Sequence, residues 1–493
     1  MNALPWTIAI SFAAAGLLLL LPRNAARAAR LVALLAAIAG LGAAICGTMH
    51  LQNYGFNTLV HVPWLPQVGA SFHLAADGIT AVLTILTGLA ATAGILFSWN
   101  IEKRPREFFA LYLALIGGVY GVFLSADVLL LFAFYEIAIV PKYFLIALWG
   151  STNREYGAMK LALYSFVGSA FVFIGILAAY AAAGGVGFGL HELAGATFAR
   201  PFQLWAFPLV AFGFAVLAGL WPFHTWAPTG HVAAPTAASM LLAGVVMKLG
   251  AYGVLRVAIP IFPEGFQWWS GILAGLAVIG ILYAGFVALV QKDLKFVIGY
   301  SSVSHMGFVM LGIAAATPRA VAGSVLQMFS HGVIAGLLFA VVGRMVYDRT
   351  HTRELSALPA MGLNRALPFA AVTFVIAGIA SMGMPGFSGF PAELSILAGA
   401  WGTQPLLVLA AAAGIVLAAA FTLRAVHVTF YSGGLTAAPA HPFEPITLAE
   451  KCGAGLLIAA TVVVGLHPDL LLDMIVPALN DPLMARMFAG GVQ

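Results

Sequence analysis

Six ionisable side chains lie in stretches of this sequence that are otherwise apolar enough to sit in lipid. An ionised group at the centre of a bilayer costs roughly 2.5–3.5 kcal/mol on insertion scales, so such residues are usually kept for a function. Buried carboxylates and amines shift their protonation equilibria strongly, and histidine titrates near neutral pH without any shift. Connected by water, these groups would form a proton relay. They are Glu136, Lys142, Lys248, His305, His331 and Glu393.

Each of these residues also has a structural interpretation. A buried carboxylate or lysine can form one ion pair and never titrate, and a histidine on an apolar helix is often a hydrogen-bonded packing residue. Lys142 lies six residues from Glu136, which is about 9 Å of helical rise. Its side chain could extend to the membrane interface instead of facing the relay.

The composition identifies the environment of these residues. Hydrophobic residues make up 62% of the 493, and charged residues only 8%, whereas a soluble domain has roughly 25% charged residues. The chain is therefore an integral membrane protein whose surroundings are the lipid bilayer. Cys46 and Cys452 provide neither a disulfide framework nor the spacing of metal ligands. We expect no metal and no cofactor in this chain, because no cysteine cluster for iron–sulfur and no dinucleotide-binding glycine motif is found.

Hydropathy predicts an all-α polytopic membrane protein with about fourteen transmembrane helices. An even number of helices places the N- and C-termini on the same side. Most of the 22 lysines and arginines then face the cytoplasm if both termini are outside, as the positive-inside rule requires. The net charge of +5 thus reflects topology and gives no indication of nucleic-acid binding. The predicted spans are 5–22, 31–48, 77–98, 107–124, 126–149, 158–183, 205–221, 234–258, 270–290, 294–316, 319–345, 367–399, 405–430 and 452–475.

Two of the predicted helices, the seventh and the twelfth, contain breaks. "LWPFHTWAPTGH" (220–231) and "GMPGFSGFPAE" (383–393) place proline and glycine where a helix would otherwise continue. Irregular backbone at membrane depth is tolerated only where it faces protein or a wet cavity, and transporters use pairs of broken helices at ion sites. The breaks are five helices apart. This spacing predicts two inverted five-helix repeats, 107–258 (helices 4–8) and 270–430 (helices 9–13), within a single membrane domain, 1–493.

Several long motifs resemble one family. "YEIAIVPKYFLIALWG", "PFHTWAPTGHVAAPTAASMLLAGVVMKLGAYGVLR", "DLKFVIGYSSVSHMGFV", "QMFSHGVIAGLLF" and "MGMPGFSGFPAELSIL" resemble the antiporter-like M subunits of bacterial NADH:quinone oxidoreductase, respiratory complex I. These belong to the proton-conducting membrane transporter superfamily. The resemblance covers nearly the whole chain from "AADGITAVLTIL" onwards, although Mrp-type antiporters and membrane-bound hydrogenases use related subunits.

The resemblance implies a role for each buried charge. Glu136 matches the glutamate of the fifth helix, and Lys248 the central lysine of the eighth. Glu393 matches the terminal group of the twelfth helix, a glutamate in M subunits where other subunits have lysine. His305 and His331 match histidines on the connecting path.

The seventh helix departs from the family pattern. The family has a lysine where this chain has Leu217, and its motif has an aspartate where this chain has Thr229. Meanwhile Lys142 stands at a position where an apolar residue is expected. We hypothesise that Lys142 partly replaces the missing lysine as electrostatic partner of Glu136. Two charges about 8 Å apart interact by about 2 kcal/mol at an effective dielectric of 20.

The favoured function is therefore a proton-translocating membrane-arm subunit of an NADH:quinone oxidoreductase. Its partners would be other membrane-arm subunits, and NADH, FMN, iron–sulfur clusters and quinone would be bound by partner subunits. The expected location is the bacterial inner (cell) membrane. Two alternatives stay open: a subunit of an Mrp-type cation/proton antiporter or hydrogenase, and a non-pumping spacer that lost its relay at Leu217.

The sequence also predicts the structural role of two features outside the relay. The segment "YDRTHTRELSALPAMG" (347–362) is interpreted as a cytoplasmic linker whose charges form a solvated face. Asp127, directly before the fifth helix, is interpreted as an N-cap.

Overall fold

The computed structural model describes residues 2–432 and 443–488. Residues 1, 433–442 and 489–493 lie outside the described part of the chain. The predicted placement of both termini on the outer side of the membrane stays a prediction. Within the described ranges the protein is a bundle of long apolar helices, of which twelve are long and apolar enough to cross a membrane. Two shorter apolar helices, Leu4–Leu20 and Pro368–Ser381, accompany them.

The long helices follow the predicted order along the chain. We number them α1 Leu4–Leu20, α2 Ala26–Met49, α3 Gly78–Phe97, α4 Pro105–Leu124, α5 Val128–Trp149, α6 Arg154–Ala182, α7 Arg200–Ala218, α8 Thr236–Ile261, α9 Pro263–Val290, α10 Leu294–Ala314, α11 Pro318–Thr350, α12 Pro368–Ser381, α13 Pro405–Tyr431 and α14 Leu448–Leu466. Shorter helices at Leu190–Gly195, Asp469–Leu479 and Pro482–Phe488 pack at the ends of the bundle.

Both predicted breaks are present. After α7 the backbone turns at Gly219, which adopts a φ of 76°, and a 3-10 turn at Phe223–Thr225 leads into a second helical segment, Trp226–Ala233. The helix α12 ends at Ser381 and resumes as Gly389–Ala400, with Gly383 at a φ of 71° in between. Positive φ is strained for side-chain-bearing residues, which explains glycine at both turns.

The structure departs from the predicted helical plan in two places. A β-hairpin precedes α3: β1, Asn57–Leu65, pairs antiparallel with β2, Ala70–Ala76. Windows long enough to detect a transmembrane helix overlook strands of this length. The predicted helix 452–475 was also wrong as one element. α14 ends at Leu466, and Asp469–Leu479 forms a separate helix after Pro468, since proline cannot continue the helical hydrogen bonding.

Helix starts are marked by side-chain caps. Asp127 accepts hydrogen bonds from the N–H groups of Leu129 and Leu130 at 2.9 and 3.0 Å, so its interpretation as the N-cap of α5 is confirmed. Asp293 caps α10 in the same way. Thr447 and Glu450 form a reciprocal capping box at the start of α14.

The centre of the bundle is formed by the helices that carry most of the predicted relay. α8 and α11 are buried along their whole apolar stretch, and α10 nearly so. In contrast, fewer than half of the residues in the apolar stretches of α2, α13 and α14 are buried. A helix that is apolar on every side and buried is shielded from lipid by its neighbours, so polar groups on α8, α10 and α11 face protein.

Candidate functional site

Close packing of α8 against α11 positions the first pair of relay residues. Gly244 and Gly332 face each other so closely that a Cβ on Gly332 would lie 2.6 Å from the Gly244 carbonyl oxygen. Only glycine permits this approach, and one turn further along α8 it brings Lys248 to the facing helix. The Nζ of Lys248 lies 2.8 Å from Nδ1 of His331. Lys248 itself is fully buried.

The backbone of α8 is irregular on both sides of Lys248. Two π-helical segments, Leu242–Val246 and Val254–Ala258, interrupt the α-helical pattern. Such segments occur often at functional sites because they rotate the residues that follow. The Lys248 ammonium also donates to the carbonyl of Ala243, which lies within the first of these segments.

His331 and His305 form the middle of the relay. Their rings are stacked, with centroids 5.4 Å apart and planes inclined by 16°. The Nδ1 of His331 faces Lys248, while its Nε2 is buried without a hydrogen-bond partner among the described residues. When Lys248 carries its proton as an ammonium group it only donates, and His331 then accepts at Nδ1. That arrangement places its proton on Nε2, on the side away from Lys248.

His305 has carbonyl oxygens at both ring nitrogens. Nδ1 lies 2.7 Å from the Ser301 oxygen and Nε2 lies 2.9 Å from the Ser381 oxygen. Because carbonyl oxygens only accept, this geometry suits an imidazole that carries a proton on each nitrogen. The Ser381 carbonyl is available because α12 is broken immediately afterwards, so the break supplies an acceptor for the relay.

Glu393 completes the line. It lies in the resumed segment of the broken helix, almost fully buried, and its Oε1 is 3.7 Å from Nε2 of His305. The Nε2 of Gln327 donates to the same oxygen at 3.1 Å. A small cavity of about 10 Å³ lies between His305, His331 and Glu393, which is close to room for one water molecule. Lys248, His331, His305 and Glu393 therefore form one contiguous polar path through the buried centre.

Glu136 and Lys142 lie apart from this path, on α5. Glu136 is half-buried, and the Ser169 hydroxyl of α6 faces its carboxyl group. Lys142 is 1% exposed, so its side chain does not extend to the surface of the chain. The two residues interact electrostatically, but no ion pair within 4 Å joins them among the residues described. Helix α5 continues through Pro141, and six residues still leave the side chains on different faces.

Leu217 occupies the place where the family pattern has lysine. It is the penultimate residue of α7, directly before the break, and is 1% exposed. Thr229, in the segment that follows, accepts a weak contact of 3.4 Å from Nζ of Lys160. The polar groups lost at these two positions are thus replaced by a buried alkyl group and a hydroxyl.

Sequence reasoning missed two buried polar residues outside the path, His231 and Lys295. His231 is fully buried and neither of its ring nitrogens has a partner in the described ranges. Lys295, assigned to the cytoplasmic end of a helix by topology alone, is 3% exposed. Both residues lie inside motifs that resemble the family, and this is the signal that could have identified them. Their residue types and their positions near helix ends did not distinguish them from surface residues.

The interpretation of the linker 347–362 as a solvated charged face holds for Asp348 and Glu354, which are exposed, but was wrong for Arg349 and Arg353, which are buried. Arg349 donates to Oε2 of Glu450 at 2.8 Å, and Arg344, which precedes the linker on α11, donates to Oε1 of the same residue at 2.5 Å. Arg353 pairs with Asp293 at 3.1 Å. All three arginines are buried. Sequence spacing could not reveal these pairs, because the partners lie about 60 to 106 residues away.

This arrangement can be compared with known proteins. The family described as "NADH:quinone oxidoreductase/Mrp antiporter, TM" matches residues 125–421, which include all six predicted relay residues and both helix breaks. The chain belongs to this family.

Curated relatives of this family agree over most of the chain. An "NAD(P)H-quinone oxidoreductase chain 4 1" of Synechococcus sp. (strain JA-2-3B'a(2-13)) is 37% identical over 77% of this chain and 73% of the relative. The "NADH-quinone oxidoreductase subunit M" of Rhodobacter capsulatus is 35% identical over 87% of this chain and 84% of the relative.

Solved structures of the family share the fold. A chain of respiratory complex I from Thermus thermophilus with bound NADH has a TM-score of 0.88 at 28% identity, covering 99% of this chain and 100% of that one. A chain of the Mrp complex from Dietzia sp. DQ12-45-1b reaches a TM-score of 0.86 at 20% identity, covering 99% of this chain and 97% of that one. The second likeness shows the fold alone.

Proposed function

We propose that this chain is a proton-translocating membrane-arm subunit of an NADH:quinone oxidoreductase, and so part of an oxidoreductase enzyme. The single observation that carries the proposal is the contiguous buried path from Lys248 through His331 and His305 to Glu393. A scaffold gains nothing from burying four titratable groups in line, since each costs free energy at membrane depth.

The relatives favour this function over the Mrp alternative. The curated relatives with the stated identities are named as quinone oxidoreductase subunits, whereas the Mrp likeness rests on shape at 20% identity. Electron transfer would take place in partner subunits that hold NADH, FMN, iron–sulfur clusters and quinone. This chain would contribute proton movement, driven by changes in charge along the buried path.

We also infer its orientation and internal symmetry. The lysine- and arginine-rich ends of the helices would face the cytoplasm, with the β-hairpin and both termini on the outer side of the bacterial inner membrane. The segments 107–258 and 270–430 would form two inverted repeats, each containing one broken helix. Labelling of single cysteines introduced into the hairpin and the linker, in intact cells and in inverted vesicles, tests the orientation.

The decisive test of function is the variant Glu393→Gln in the assembled complex. Glutamine retains the shape and can still contact Gln327, but it cannot release a proton. In inverted membrane vesicles we expect NADH-driven proton uptake per electron transferred to fall while the complex still assembles. Normal proton uptake by Glu393→Gln would contradict the relay and leave the spacer interpretation.

We further propose that Lys142 supplies the positive charge that the seventh helix lacks at Leu217. Its complete burial and its electrostatic interaction with Glu136 support this role. Removal of the charge in Lys142→Met should impair coupled proton uptake, and the added change Leu217→Lys should restore it. If Lys142→Met pumps normally, Lys142 does not compensate for the missing lysine.

A further inference from the structure

Basic side chains gather at one corner of the bundle, where α1 leads into α2 and α3 leads into α4. Two hydrogen bonds tie the two connecting segments together. The guanidinium group of Arg30 donates to the Ile101 carbonyl oxygen at 3.0 Å. That of Arg106 donates to the Leu21 carbonyl oxygen at 2.6 Å. The residues of this basic corner are Arg23, Arg27, Arg30, Lys103, Arg104 and Arg106.

Most of the positive charge of the basic corner is uncompensated. Glu102 and Glu107 are the two acidic residues in its segments, so six positive and two negative charges leave a net charge of +4. Glu107 pairs with Arg104 at 3.8 Å and with Arg106 at 3.4 Å. Three of the basic side chains are exposed and form no ion pair or hydrogen bond within the part of the chain that the structure describes: Arg23, Arg27 and Lys103.

An exposed apolar stripe on α2 begins at the basic corner. Its large side chains, Leu31, Leu35 and Ile38, are exposed. They follow Arg27 at intervals of three or four residues, which places them on the same face of the helix. From Arg27 to Ile38 the helix rises by about 16 Å, which is close to half of the roughly 30 Å hydrocarbon core. The stripe therefore has the length of one acyl chain.

The small residues of α2 lie on the opposite side of the helix. Ala33, Ala37, Gly40 and Ala44 are buried, on the side where α2 packs against α1 and α3. Contacts between membrane helices use small residues, because these let the two backbones approach closely. The bulky exposed stripe is therefore typical of a surface that faces lipid, and not of one that packs against a further helix.

We propose that the basic corner and the stripe together bind one anionic phospholipid. The phosphate group accepts charge-assisted hydrogen bonds from the exposed basic side chains, and an acyl chain lies along the stripe. The site is separate from the buried relay, and its occupancy does not depend on proton transfer. The groups that contact the phosphate are those of Arg23, Arg27 and Lys103.

A purely topological role for these charges makes a different prediction. Lysine and arginine are enriched on one side of membrane proteins whether or not they bind a particular lipid. In that case they attract anionic lipid to the whole surface, and every exposed basic residue on that side contributes equally. Lys292, exposed between α9 and α10, allows this comparison, because it lies in a different connecting segment.

The experiment uses the intact membrane assembly that contains this chain, in vesicles of phosphatidylcholine. A trace of phosphatidylglycerol carries a photoreactive diazirine in its acyl chain, and phosphatidylcholine with the same chain is the neutral probe. Mass spectrometry then locates the cross-links. We expect the anionic probe to label residues 31–38 at least fivefold more than the neutral probe, since one basic residue near the membrane surface changes the binding equilibrium by about fivefold.

Two variants test the basic side chains directly. Arg27→Gln should lower the labelling ratio about fivefold, and combination with Arg23→Gln and Lys103→Gln should bring it to about one. These side chains are exposed, so folding is preserved. Lys292→Gln is the matched control and should keep the wild-type ratio.

Three results would overturn the proposal. Equal labelling by the two probes would show that the corner contacts only bulk lipid. An equal loss in Lys292→Gln and Arg27→Gln would assign the effect to the overall charge of that side. Absence of labelling by either probe would show that another protein covers the stripe. None of these results bears on proton transfer through Lys248 and Glu393, so the proposed function is tested separately.

Discussion

The Nζ of Lys248 lies 2.8 Å from Nδ1 of His331, across two helices that are buried along their whole apolar length. This contact joins the eighth and eleventh helices into one path, and a proton on Lys248 has His331 as its nearest side-chain acceptor. We expect Lys248→Met to reduce coupled proton uptake by about tenfold or more, because loss of a positioned proton-transfer group commonly has at least that effect. Assembly and electron transfer should be monitored in the same vesicles.

Substitution of Gly332 tests the packing that makes this contact possible. In Gly332→Ala the new methyl group would meet the Gly244 carbonyl oxygen at 2.6 Å and Leu86 at 2.7 Å. Overpacking of this kind costs about 1–3 kcal/mol and would move α8 away from α11. We expect a lower thermal stability and weaker proton uptake. Gly336→Ala on the same helix, whose Cβ would approach only Leu457 at 3.9 Å, is the control and should behave like the wild type.

The ion pairs of Glu450 predict a purely structural defect. This carboxylate binds Arg344 and Arg349 and also caps α14. Removal of its charge in Glu450→Gln leaves the buried Arg349 without its carboxylate partner and Arg344 with Asp348 alone, and breaking a buried pair costs about 3–5 kcal/mol. We expect a lower melting temperature of the purified protein and reduced assembly. The exposed Glu155 provides the comparison, since Glu155→Gln should leave the melting temperature unchanged.

The β-hairpin predicts a pH dependence outside the membrane. Burial lowers the pKa of His73 from 6.5 to about 4, and the neighbouring His61 and His191 contribute to the shift. In the folded hairpin His73 is therefore neutral between these values, whereas in the unfolded chain it binds a proton. Its contribution to stability is present above pH 6.5 and is lost as the pH falls toward 4.

Limited proteolysis of the hairpin between pH 7 and pH 4 measures this effect. Cleavage should become faster as the pH falls, and the variant His73→Gln should weaken that dependence. The Oγ1 of Thr58, which lies 3.1 Å from Nε2 of His73, can hydrogen-bond a glutamine as well. An unchanged pH profile in His73→Gln would show that another group is responsible.

The sequence by itself determined the membrane environment, the order of the long helices and the two breaks. These features depend on local properties, namely hydropathy over one helix length and the placement of proline and glycine, which a single stretch of chain contains completely. It also marked Lys248, His305, His331 and Glu393, because ionisable residues are conspicuous against an apolar background. The hairpin was missed because its strands are shorter than the windows suited to a transmembrane helix.

Only the tertiary structure decided which of these groups meet. Lys248 and His331 are 83 residues apart, and Glu393 lies 66 residues from Gln327, so their contacts depend on how helices pack. The same holds for the buried arginines of the linker, whose acidic partners come from distant helices. It holds equally for Lys295. Its position in the sequence predicts an exposed lysine at a helix end, but its Nζ is buried against the carbonyl oxygens of Val232 and Ala234. The sequence determines which residues are charged, but helix packing determines the distances between their side chains, and these distances decide whether a proton can move from one to the next.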